Sequence, residues 1–201
     1  MENTFSTCRK AFRSSNQHQA FVTLKDLFQN IGDISYWTRK IQEIQWAVFD
    51  HEIDFEKCPP DSMIYSGQLT LKIIYSRIHL QEFPEIQKKD LVWEHMADSW
   101  IQSMFKKQSE NLTMLQLMEH LPKALSAEEV LNPSAFLRKF YLKHSLKKWI
   151  RRWNQFREMA FYSYSIFDGD EGEYLEDFNY FLKLTEACYL IHSRYSPIQT
   201  N

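Results

Sequence analysis

Apolar residues recur along this chain at intervals of three and four, with polar residues between them. Ile34, Trp37, Ile41, Ile44 and Val48 form one such stripe, and Leu142, Leu146, Trp149, Trp153, Phe156 and Ala160 form another. That spacing puts every member on one face of a helix. Trp93, Met96, Ala97, Trp100, Ile101, Met104 and Phe105 predict a further helix, which Asp90 is placed to cap. Shorter helices fit Gln19–Gln29 and Thr113–His120, and a last one fits Tyr174–Tyr195. No run alternates apolar and polar residues between hairpin turns, and four glycines supply little material for strand connections. The expected fold is all-α, a multi-helix bundle of about seven or eight helices.

Breaks punctuate the pattern. Asn30-Ile31-Gly32-Asp33 ends the first helix, and Asp33 suits the N-cap of the next. Pro59-Pro60 predicts a loop over Lys57–Gly67, because proline lacks an amide donor, with helix resuming over Leu69–Leu80. Ser126 and Glu129 have capping-box spacing, and Asn132-Pro133-Ser134 opens another helix.

The two stripes also align with each other. Ile34, Trp37, Arg39, Lys40, Ile41, Ile44, Val48 and Phe49 match Leu146, Trp149, Arg151, Arg152, Trp153, Phe156, Ala160 and Phe161 at one constant offset. Each set runs into an acidic segment, Asp50–Glu56 in one case and Asp168–Glu173 in the other. Each then meets a further apolar run, through Ile73-Ile74 or Leu190-Ile191. This suggests an internal repeat. The expected organisation is a polar arm at 1–19, helical unit 1 at 20–80, a helical connector at 81–133 and helical unit 2 at 134–196, within one body. The second unit has no equivalent of the Asn30–Asp33 break, so its helix is expected to run on or kink near His144-Ser145.

Composition narrows the class. With 44% hydrophobic residues the chain can bury a core, which excludes global disorder. The net charge of −2 leaves no global basic footprint for nucleic acid. Cys8, Cys58 and Cys188 are odd in number and far apart, which suits reduced thiols and a cytoplasmic location. No apolar run reaches membrane-spanning length, so no membrane association is expected.

The sharpest local feature is the segment Leu137–Arg157, rich in Lys and Arg and without a carboxylate. Lys143, Lys147, Lys148, Arg151 and Arg152 lie off its apolar stripe and make a cationic face for an acidic protein or a phosphate backbone. The acidic cluster Asp168–Asp177 is near enough in sequence to neutralise it. Trp46 lies off its own stripe and is a candidate interface aromatic, while Phe161–Phe167 would suit either a wedge between the two halves or cover by a second subunit, and so a homodimer. The Asp168–Glu173 loop departs from a calcium-binding EF-hand, whose sixth place takes Gly and whose twelfth, here Asn179, takes Glu. The histidines show no HxxxH, HExxH or ExxH spacing, and no phosphate-cradling glycine motif occurs, so neither metal nor cofactor is expected.

Arg138 and His144, with five residues between them, resemble the Arg-x4–6-His signature of HEPN-type helical ribonucleases. That resemblance implies Arg and His serving a scissile phosphate. The family carries Asn or Asp after the Arg, where this chain has Lys139.

These observations favour a non-enzymatic helical protein-interaction or regulatory module over a nucleic-acid-binding regulator, with a small helical ribonuclease third. A protein is the first expected partner.

Overall fold

The computed structural model describes residues 14, 16–49, 59–80, 122–161 and 171–195. These form seven α-helices and no strands. In chain order they are α1 (Gln17–Lys25), α2 (Ile34–Phe49), α3 (Pro60–Ser76), α4 (Ala127–Leu131), α5 (Pro133–Lys143), α6 (Leu146–Met159) and α7 (Glu171–Tyr195). The all-α multi-helix bundle is therefore the fold. No described helix is long and apolar enough to cross a membrane. The helices expected around Trp93, Trp100 and Thr113–His120 lie outside the described residues, as do Cys8, Cys58, Asp50–Glu56 and Asp168–Asp170.

Local chemistry explains most boundaries. Asn16 caps α1 by accepting the Gln19 amide at 2.9 Å, so Gln17–Gln19 belong to a helix and not to an arm. Past Lys25 the chain winds into a π-helical turn, Asp26–Ile31, closed by the Gly32 amide donating to the Leu27 carbonyl at 3.1 Å. Asp33 then caps α2 by accepting the Tyr36 amide at 2.8 Å. At α4 the Ser126–Glu129 capping box is complete.

One boundary differs from the sequence reading, and a second decides between its two alternatives. Pro59-Pro60 starts a helix where a loop through Gly67 was expected. Proline is favoured in the first helical position, since the amide it lacks has no intrahelical partner there. The Pro59 carbonyl accepts the Met63 amide at 3.0 Å, and Gly67 sits inside α3. Leu137–Arg157, expected to run on or kink near His144-Ser145, is two helices. His144 is extended, and Ser145 caps α6 by accepting the Lys148 amide at 3.3 Å. Leu142, expected on the buried stripe, lies in the last turn of α5 at 86% exposure, because the break separates it from the stripe of α6.

The core forms around α7, which packs on α1, α2, α3, α4 and α5. The helix α3 packs on α1, α2 and α6, and α2 also meets α6. Trp37, Trp149, Trp153 and Phe156 are fully buried. Phe156 stacks on Phe178 at 4.0 Å between ring centroids, and Trp149 stacks on Phe140 at 4.1 Å. Buried indoles need an acceptor. Trp37 donates to the Leu27 carbonyl at 3.0 Å, Trp149 to Phe140 at 2.7 Å and Trp153 to Gly67 at 2.8 Å. At Gly67 a β-carbon would stand 2.8 Å from Arg157 Nε, so glycine permits the close crossing of α3 and α6. A buried carboxylate, Glu186, ties the connector's end to α7 by accepting the amides of Lys123, Ala124 and Leu125 at 2.8–3.1 Å. Burial raises the Glu186 pKa against the opposing pull of these amides.

Candidate functional site

The apolar stripe of α6 decides where its charges point. With Trp149, Trp153 and Phe156 buried, positions 148 and 152 turn to α7, while 147 and 151 lie about 100° away around the helix. The five cations expected to share one face are divided accordingly.

Three of them meet carboxylates of α7. Arg152 places Nη2 2.8 Å from Glu173 and Nε 2.8 Å from Asp177, and its guanidinium lies 4.5 Å over the Tyr174 ring. Lys143, reaching across from α5, stands 2.8 Å from Glu176 and 3.2 Å from Asp177, 4.5 Å over Tyr180. Lys148 lies 3.6 Å from Glu173. The Asp177 side chain is fully buried. Desolvation works to raise the Glu173 pKa, but Arg152 and Lys148 outweigh it and hold that carboxyl below its ordinary value. Glu173, Glu176 and Asp177 belong to the acidic cluster seen in the sequence. They act from the helix itself.

His144 joins this network. Its Nε2 lies 3.3 Å from Asp177 and 3.7 Å from Glu173, its side chain is 9% exposed, and its ring is 4.7 Å from Trp149. It faces the interior, whereas Arg138 is exposed on α5. The His144, Glu173 and Asp177 donor atoms all lie within 4.8 Å of one another, a spacing that suits a metal ion. Lys143, Lys148 and Arg152 already balance the charge of Glu173, Glu176 and Asp177 there. A divalent cation would have to displace them, and the cluster reads as an ion-pair lock. The sequence signal for it was the i,i+4 spacing of Lys148 and Arg152 against that of Glu173 and Asp177.

Lys147 and Arg151 are different. Both are exposed, and neither forms an ion pair among the described residues. They border a half-open groove of about 650 Å³ along α6. Leu146 and Ile150 form its apolar floor, Tyr75 of α3 lies at its side, and Asn154, Gln155 and Glu158 continue it toward the end of α6. That volume suits a ligand or an inserted side-chain cluster. Trp46, the expected interface aromatic, is 57% exposed on α2. No protein-family model, curated protein or solved structure matches the chain.

Proposed function

We propose that this protein is a non-enzymatic helical interaction module that takes a protein partner in the groove along α6. The observation that carries the reading is the pairing of an apolar floor, Leu146 and Ile150, with two exposed cations, Lys147 and Arg151, that find no carboxylate among the described residues. Such a surface rewards a partner that brings both apolar side chains and acidic groups. A phosphate backbone is served less well, because Lys143, Lys148 and Arg152 are already matched by α7. The inward position of His144 gives no support to a ribonuclease reading. Cys188, buried in the core, suits a reducing, cytoplasmic setting.

The same proposal includes a duplicated architecture, in which α1–α3 and α5–α7 are two versions of one three-helix unit. Supporting it, Trp37 and Trp149 stand at the same distance behind their caps, Asp33 and Ser145, and each donates its indole proton to the preceding helix. The first helix of each unit packs on the third, α1 on α3 and α5 on α7. The second helices cross over, α2 to α7 and α6 to α3.

The test is capture of partners from cell extract by the protein and by its Lys147→Glu/Arg151→Glu variant, with identification of what is lost. Loss of defined proteins supports the module. Loss of RNA instead, or no difference, overturns it.

A further inference from the structure

The charges in the first turn of α6, and Glu158 in its last, run against the helix dipole. The amino end of a helix carries partial positive charge and the carboxyl end partial negative charge, so acids belong in the first turn and bases in the last. Here the first turn contains Lys147 and Lys148 and no acid, while the last turn holds Arg157, which suits the dipole, and Glu158, which does not. Lys148 is compensated by Glu173. Lys147 and Glu158 form no ion pair among the described residues, and both line the groove. A local rule broken at Lys147 and Glu158 without compensation among the described residues points to a demand other than stability.

From this, and resting on the groove reading above, we infer that the partner is a short amphipathic peptide segment with a fixed charge order. Its apolar face covers Leu146, Ile150 and Tyr75, its acidic end lies on Lys147 and Arg151, and its basic end lies on Glu158. Lys147 and Glu158 are eleven positions apart on a helix, about 17 Å. A partner helix of about three turns spans that distance, the helix-in-groove mode of recognition. The terminal acid argues against nucleic acid, since a phosphate track following the groove would run onto Glu158.

The experiment uses the full chain and two synthetic helical peptides with the same Leu stripe. One has Glu at one end and Lys at the other, and the second has Glu at both ends. Binding is read from backbone amide shifts over Leu146–Met159. The first peptide should bind several-fold tighter, and Glu158→Lys should reverse that preference. Lys147→Glu should weaken the first peptide at least tenfold while leaving Tm unchanged or higher, because an acid in the first turn suits the dipole. Equal affinity for both peptides, or no reversal in Glu158→Lys, overturns the charge order and leaves the groove reading standing. Absence of binding by either peptide overturns both. An oligouridine that displaces the first peptide from Lys147 would overturn the assignment to a peptide partner.

Discussion

Glu129 and Trp153 show how single side chains set the stability of this fold. Glu129 is buried, closes the capping box of α4, and stands 2.8 Å from Lys183 and 3.3 Å from Lys139. Desolvation works to raise its pKa, but Lys183, the Ser126 amide and Lys139 prevail and lower it to about 2. The folded pKa thus lies below the unfolded one. The carboxylate adds stability above the ordinary Glu range and loses it as pH falls from about 4.5 toward 2, a contribution of about 3 kcal/mol. Glu129→Gln should therefore unfold more easily than the parent near neutral pH, and the gap should close at acid pH. A gap of constant size in denaturant melts across that range would refute the assignment. Trp153 is fully buried and bonds the Gly67 carbonyl. Trp153→Ala should cost about 3–5 kcal/mol, measured by urea unfolding. Trp153→Phe should recover part of that loss, since most of the bulk stays while the indole bond to the Gly67 carbonyl is lost. An unchanged midpoint in Trp153→Ala would mean that the stripe is not core.

At the level of elements, periodicity made α2 and α6 legible, because three-four spacing depends only on which face is buried. The residues Ile34, Trp37, Ile41, Ile44 and Val48 are all buried, and so are Trp149, Trp153 and Phe156. Caps were legible where the side chain itself makes the bond, as in the Ser126–Glu129 box. Four features were not, or were only half so. Pro59-Pro60 is compatible with either a break or a start, and the Pro59 carbonyl that receives Met63 decides for a start. Position 144–145 contains no Gly or Pro, so the sequence left a continuous or a kinked helix open there, and Ser145 capping α6 decides for the break. The groove was hidden because the residue pairs 147/151 and 148/152 differ only by a rotation whose meaning depends on where α7 lies. The π-helical turn was equally silent. Trp37 and its acceptor Leu27 are ten residues apart, whereas Trp149 and Phe140 are nine apart. A π turn spends one residue more than an α turn between bonded groups, so Asp26–Ile31 absorbs the difference. Deleting exposed Gln29 should let this turn close as ordinary α-helix and should be tolerated, with a cooperative thermal transition retained. Deleting a residue at the centre of α2, such as Gln42, should destroy cooperativity, because every buried position after it rotates off the core. Equal damage from the two deletions would remove the turn as an insertion and weaken the duplication.

For the whole molecule the decisive question is how the charge of α6 is divided between fold and surface. Lys143, Lys148 and Arg152 bind α5 and α6 to α7 around the fully buried Asp177, while Lys147 and Arg151 face the groove. A buried charge deprived of its partner is costly, whereas an exposed one is nearly neutral for stability. Two double charge reversals, one residue out of register, should therefore have opposite effects. Lys148→Glu/Arg152→Glu removes the main partner of Asp177 and adds like charges beside Glu173. It should cost about 3–5 kcal/mol and either unfold the protein or lower its Tm steeply. Lys147→Glu/Arg151→Glu breaks no ion pair among the described residues, leaves Glu158 about two turns away as the groove's own acid, and places an acid in the first turn of α6. Its Tm should not fall, although its groove has lost both cations. Thermal unfolding of the two variants side by side makes the comparison, and salt sharpens it. Screening acts on exposed charges far more than on buried ones, so added salt should leave the deficit of the first variant largely in place. If the two variants lose equal stability, the five cations act as one surface, and the division between a locked half and an open half is wrong.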